Sequence, residues 1–531
     1  MRKLLGIGIL CAIAASAMAV PARREGMLRT AADGTEKMVF LNGDESFHYL
    51  TDENGIWLDE ETLMPLTEEI KNTKLNQKAE GASRHAKARR AKQETGTSRL
   101  LAPRGAVILV SYADKNFKST NAEMTDWAMG ENYTYNGATG SIHKYFLDQS
   151  WGEYDMQIDV YGPVTVSQNA AYYGENDWSG DDKHADELVV EACKLAHDNC
   201  GADFSKYDSN NDGKVDWVVI LYAGYGEASG GDGLSNTIWP HQYELSYTGK
   251  DFKLDGKWVD HYCCLNELDY YSRKREGIGT FCHEFSHVMG LPDFYETNYQ
   301  TTGIHTLCEW DIMDYGPYNN NGNTPPNYSA YERWFMGWIR PTLITDACSV
   351  TLPALHDTKA ACYMTENGSA ISNILNPDPT TFYIFENRQK SSGWDTYIPG
   401  SGMMITKIKF SATKWEGNTV NNSSRNMGVD IIEAVSNNSD SGKASDLYPG
   451  STLLDPTGVT SFTDIANYQV ENIAMANKII TFDVNGGGEN ITLEVENVQR
   501  DNVQCTKVLL NGQVVIVRGG KTYDVTGRLV D

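Results

Sequence analysis

The sequence predicts a mixed α/β (α+β) unit followed by a β-rich region, on three observations. Residues 106–112 (AVILVSY) and 217–222 (WVVILY) are short, apolar, β-branched runs of the kind that form buried strands. Between them, residues 184–197 place Leu188, Val189, Ala192, Leu195 and Ala196 at helical spacing. Past Arg340, strands and turns prevail, with 382–385 (FYIF), 402–405 (GMMI) and 429–432 (VDII) as the clearest runs. A chain of 531 residues exceeds one core of ordinary size. The expected division is a leader at 1–19, a small β module at 20–66, a basic linker at 67–104, the α/β unit at 105–340, the β-rich region at 341–484 and a tail at 485–531.

Each segment has its reason. Arg2 and Lys3 precede an apolar run that ends in Ala17-Met18-Ala19. A positive start, a short apolar stretch and a small-residue end are those of a secretory leader cut near Val20. A membrane span takes about 20 apolar residues, so no anchor is expected once the leader is gone. The protein is therefore expected outside the cell or on its surface. Residues 20–66 mix strand-like runs such as Met38-Val39-Phe40-Leu41 with turn signals such as Gly43-Asp44-Glu45. That module is too small to stand alone and reads as a propeptide. The linker carries ten Lys/Arg against four Asp/Glu and no aromatic, and Arg89-Arg90 and Lys92 are easy protease targets there. Over the whole chain the net charge is −26, which argues against a general nucleic-acid binder. Nine cysteines follow Cys11, with no C-x-x-C pair; a few disulfides plus buried thiols are expected. Past the NGGGE joint at 485–489, the tail alternates apolar strands around an Asn511-Gly512 turn.

The chemistry is concentrated in Phe281-Cys282-His283-Glu284-Phe285-Ser286-His287-Val288-Met289-Gly290-Leu291-Pro292-Asp293. On a helix, residues i and i+4 share a face, so His283 and His287 can offer two imidazoles to one zinc ion. Glu284 can then hold the attacking water and act as general base. Gly290 permits a sharp exit from the helix, and Pro292 discourages its continuation. The turned chain can bring back Asp293 as third ligand. Twenty residues on, Asp311-Ile312-Met313-Asp314-Tyr315-Gly316 places Met313 on a tight turn of the kind that underlies the metal in metzincin peptidases. Tyr315 is a candidate to steady an oxyanion. A second constellation, Asp208, Asn210, Asp212, the Lys214 carbonyl and Asp216, with Gly213 at the sixth position, reproduces the first part of a calcium loop. Its twelfth position is Val219, so it is not a full EF-hand.

The HExxHxxGLPD run and the following Met-turn resemble the immune-inhibitor-A-like secreted metallopeptidases of bacteria. Gly137 to Ser141, Gly162-Pro163-Val164, Ala223 to Glu227, Trp239-Pro240-His241 and Ser329-Ala330-Tyr331 continue the likeness. Glu386-Asn387-Arg388-Gln389 and Gly393-Trp394-Asp395 resemble the family's accessory β region, and Gly43 to Tyr49 its propeptide. The resemblance implies a metzincin-like catalytic domain with zinc on His283, His287 and Asp293, Glu284 as base, and protein or peptide substrates. Thr406 to Lys409 stand where a His-Val-Asp-like stretch is common, which puts any site there in doubt. The tail resembles a type IX sorting segment, which implies a partner in the secretion machinery. Zinc, with calcium at the second loop, is the expected cofactor set. The expected function is a secreted zinc endopeptidase made as a proenzyme. The rival is a catalytically silent surface adhesin on the same scaffold, against which the intact Glu284 argues.

Overall fold

The computed structural model describes residues 18–31, 34–45, 47–60, 62–75, 103–177, 180–298, 306–390, 393–435, 442–450, 458–493 and four short strands of the tail. Most of the leader, linker residues 76–102 and the Asn511-Gly512 turn lie outside the described residues. Among the described residues no helix is long and apolar enough to cross a membrane.

The chain begins with β1 (Met18–Ala19), which belongs to the central sheet, and then forms a separate meander of β2 (Met27–Thr30), β3 (Glu36–Asp44), β4 (Phe47–Thr51) and β5 (Trp57–Leu58). The α/β unit follows with β6 (Arg104–Ser111), α1 (Asn121–Met129), α2 (Ile142–Gln149), β7 (Gln157–Thr165), α3 (Ala185–Cys200), β8 (Val218–Tyr222), β9 (His241–Glu244), the hairpin β10 (Phe252–Leu254) and β11 (Lys257–Val259), β12 (His261–Asn266), α4 (Gly279–Val288) and α5 (Ala330–Phe335). The central sheet runs β1-β9-β12-β8-β6-β7. β12, β8, β6 and β7 pair in parallel, and the unbroken apolar runs belong to the central pair: every residue of β8, and all but the first of β6, is buried. β9 joins antiparallel to β12, and β1 in turn covers β9, Ala19 facing His241 and Met18 facing Gln242.

Beyond α5 two sheets stack. One runs β13 (Thr342–Leu343), β15 (Ala361–Thr365), β16 (Thr381–Arg388), β17 (Gly402–Lys409), β18 (Val429–Ile431); the other comprises β19 (Val470–Ala476), β20 (Ile479–Val484), β14 (Cys348–Leu352) and β21 (Glu489–Thr492). Strand alternation divides β16 between two cores. Phe382 and Ile384 pack into the same core as Val107 and Ile220, whereas Tyr383 and Phe385 face the second sheet. Arg388 reinforces the join through two bonds to Asp395 and one to the Asn327 carbonyl, and Glu386 accepts the Ala330 N–H at the start of α5. The tail strands β22 (Thr506–Leu510), β23 (Gln513–Arg518), β24 (Lys521–Asp524) and β25 (Leu529–Val530) form a sheet of their own in sequence order. The eight described cysteines are all thiols, seven of them buried, so the expected disulfides do not form among them. Most behave as small apolar core residues instead.

Candidate metal centre

α4 is buried on every side from Gly279 to His287, so its polar residues must find partners inside the protein. It starts at a glycine because it crosses the loop after Met313: a Cβ at Gly279 would lie 1.9 Å from the Pro317 carbonyl oxygen. It ends at Gly290, whose φ of +102° turns the chain back and delivers Asp293 to the helix face that carries His283 and His287.

The three side chains converge. His283 Nε2 and His287 Nε2 lie 3.1 Å apart, and Asp293 Oδ1 is 3.2 Å from the first and 3.3 Å from the second. A tetrahedral ion with ligands at ~2.0–2.1 Å separates its donors by roughly 3.3–3.4 Å, so this triangle has the size of a zinc site. The hydrogen bonds around it make the same point. His283 Nδ1 bonds to the Ile312 carbonyl at 2.7 Å and His287 Nδ1 to the Leu291 carbonyl at 2.8 Å. A carbonyl can only accept, so each Nδ1 carries the proton and donates. Burial holds His287 below the ordinary imidazole value. Its Nε2 therefore presents a lone pair toward Nε2 of His283, and Asp293 Oδ1 is buried without a hydrogen-bond partner. Three buried ligand atoms converging at this spacing fit a cation.

The outer layer comes from distant parts of the chain. The turn at 311–314 supplies the Ile312 carbonyl, and fully buried Met313 is fixed by its N–H on Asp311. Asn418 brackets Asp293, its Nδ2 donating to Oδ2 and its Oδ1 accepting the Asp293 N–H. Asn418 lies in the β-rich region, and no local spacing rule points to it.

Glu284 faces the N-terminal segment around Val20. Its Oε1 accepts the Val20 N–H at 2.8 Å, while the Tyr295 hydroxyl donates to the Ala19 carbonyl at 2.7 Å and Trp239 Nε1 to the Val20 carbonyl at 3.0 Å. The Ala19–Val20 peptide is thus gripped at both its nitrogen and its oxygen. Burial, then the nearby charges of Glu45 and Asp293, push the Glu284 carboxyl well above its ordinary range. Glu45 lies between β3 and β4 and is itself buried.

Tyr315 and the 208–216 loop are arranged differently from the expectation. Tyr315, expected at the oxyanion, has its ring under the Arg24 guanidinium, 3.4 Å from ring centroid to Cζ. The hydroxyl on the peptide carbonyl is that of Tyr295, two residues past Asp293, a position with no motif to flag it. The Asp208, Asn210, Asp212, Lys214, Asp216 loop does not gather its carboxylates into one group. Asp208 accepts the Asp212 and Gly213 N–H groups, Asp216 accepts that of Ser209, and the Lys257 ammonium sits 2.6 Å from Asp208. Another acidic grouping among the described residues, Glu244, Asp260 and His261, has Asp260 already held by Lys214 and the Ser246 N–H.

Residues 110–339 match the family described as immune inhibitor A peptidase M6, catalytic domain. The pre-pro-metalloprotease PrtV of Vibrio cholerae serotype O1 (strain M66-2) is 30% identical over 247 residues, which cover 42% of this chain and 25% of that protein. Immune inhibitor A of Bacillus thuringiensis subsp. alesti is 30% identical over 222 residues, 37% of this chain and 31% of its own length. The chain thus spans less than a third of either relative, and the matched stretch includes α4 and the 311–314 turn.

Proposed function

We propose that this chain is a secreted, zinc-dependent endopeptidase made as a proenzyme. The observation that carries the reading is the peptide bond gripped beside three converging metal donors. His283, His287 and Asp293 would hold the zinc, which when bound supplies a Lewis acid and lowers the pKa of a coordinated water. Glu284 is placed to take a proton from the attacking water. The same carboxyl contacts the amide nitrogen and can return that proton to the departing amine. The Tyr295 hydroxyl, already donating to the carbonyl oxygen, strengthens its bond as negative charge grows there. Trp239 and β9 hold the backbone on either side in extended form.

Latency follows from the same contacts. Residues 20–24 fill the cleft, anchored by the Val20 nitrogen on Glu284, by Trp239 Nε1 on the Val20 carbonyl and by the Tyr318 hydroxyl on the Pro21 carbonyl. A leader cut between Ala19 and Val20 would leave the new α-amino group of Val20 against Glu284, so the processed proenzyme would resemble an enzyme holding the second half of a cleaved product. Export by the leader and sorting by the tail complete the proposal, which fractionation of producing cells checks. A calcium ion on the 208–216 loop belongs to it too, with Lys257 as its competitor at Asp208. Calcium should then raise the melting temperature more in Lys257→Met than in the wild type, and an equal response in both would remove the calcium site.

Casein zymography with and without a zinc chelator, alongside Glu284→Ala, tests the central reading. Digestion is expected from the processed wild type, is abolished by the chelator, and falls by about 10²–10⁴-fold in the variant. Undiminished digestion by Glu284→Ala would remove the mechanism. No digestion by the wild type would favour a silent binding protein.

A further inference from the structure

The pro-segment lies in the cleft as a substrate would. The Ala19–Val20 amide has its nitrogen on Glu284 and its oxygen on Tyr295, and the residues before it pair with β9. Residues after Val20 therefore occupy the path of the leaving half of a substrate. The fourth of them is Arg23, counted with Val20 as the first.

Arg23 is buried, with 3% of its surface exposed. Its guanidinium lies 2.7 Å from Asp269 Oδ2 and 3.4 Å from Glu276 Oε1, and its Cζ is 4.8 Å from the Tyr318 ring centroid and 5.3 Å from that of Tyr271. Both carboxylates are buried, and their other hydrogen bonds come from neutral donors, the Ser272 and Gly277 main chain and the Asn266 amide. Arg24 follows with a looser grip from Tyr315 and from Glu309 at 3.6 Å.

All four residues around Arg23 belong to the α/β unit and stay when the pro-segment leaves. Two buried carboxylates that share one cation are costly without it, because each then opposes the charge of the other. Burial and Asp269 raise Glu276 to about 7 even though Arg23 opposes the shift. The pocket therefore favours a replacement cation in the open cleft. Paired carboxylates edged by two aromatic rings suit a planar guanidinium better than a compact ammonium.

We infer that Asp269, Glu276, Tyr271 and Tyr318 form a substrate subsite that takes an arginine side chain four residues after the bond to be cut. The inference rests on the endopeptidase reading and adds its substrate class: extended peptides with arginine on the leaving side. The chain itself holds a second copy of the triplet seated in the cleft. Ala22-Arg23-Arg24 recurs as Ala88-Arg89-Arg90 in the linker, and the same spacing sets the cut between His85 and Ala86.

The test uses the secreted, processed protein on a synthetic peptide of residues 80–92, with mass spectrometry to locate the cut. A second peptide carries citrulline in place of Arg89, which keeps the shape and removes the charge. Cleavage between His85 and Ala86 is expected, with kcat/KM at least about tenfold lower for the citrulline peptide. In Asp269→Asn that ratio should fall toward one. Equal cleavage of both peptides by protein that digests casein would overturn the subsite and leave the endopeptidase reading standing, as would cuts only after Arg89 or Arg90. Protein that digests neither casein nor peptide would remove the underlying reading, and the subsite with it. Because the citrulline comparison uses the wild type, it does not depend on whether the variant folds.

Discussion

His283 and His287 are held by carbonyl oxygens, which can accept but not donate, and this decides which ring nitrogen faces the centre. The same economy applies to Tyr295, whose hydroxyl sits on the carbonyl oxygen of the gripped peptide. Replacing it with Phe leaves the ring and deletes only that donor. Tyr295→Phe should lower kcat on casein-derived peptides by about 10²–10³-fold with little change in KM. A variant with wild-type kcat would show that the hydroxyl positions the Ala19 carbonyl and nothing more. The candidate ligands were readable because helical periodicity and a glycine exit are local properties of eleven consecutive residues. Tyr295 and Asn418 were not, since one hydroxyl and one amide look the same in sequence wherever they point.

At the scale of elements, β18 carries a group whose cost depends on pH. Asp430 pairs with Lys407 of β17, yet burial, with Glu433 nearby, raises its carboxyl to about 6 despite the opposing Lys409 and Lys407. Its folded value thus lies above its unfolded one. As pH rises from about 4, the unfolded chain releases the proton first, so folding loses stability until about pH 6 and then levels off. Asp430→Asn removes that penalty. In urea denaturation it should exceed the wild type by about 2 kcal/mol at pH 7.5 and match it near pH 4. A gain of equal size at both pH values would mean that packing, not ionisation, is responsible. α4 shows the complementary lesson. Its histidine spacing was legible, but the need for Gly279 was not, because the oxygen that excludes a side chain there comes from Pro317, nearly forty residues on.

For the whole molecule, the β-rich region completes the α/β unit. Trp334 of α5 packs on Tyr363 and Phe382, Tyr331 bonds to the indole of Trp415, and Asn418 reaches the metal centre from the same side. The division after Arg340 follows a change of composition and crosses a continuous core. A chain ending at Arg340 should therefore expose that face, bind a hydrophobic dye and lose cooperative thermal unfolding, whereas one ending at Leu493 should retain it. A sharp transition in the shorter chain, within a few degrees of the longer one, would show that the shared core matters little.

The sequence by itself determined the fold class, the buried strands and the candidate ligand set with its neighbouring base, since each is written in periodicity or spacing over a few residues. Tertiary structure alone decided which tyrosine meets the carbonyl, that an asparagine 125 positions away brackets Asp293, that Lys257 answers Asp208, and that Arg23 fills a buried acidic pocket. Those outcomes depend on which surfaces meet when the layers pack. Contacts between residues far apart in the chain leave no local pattern by which to read them.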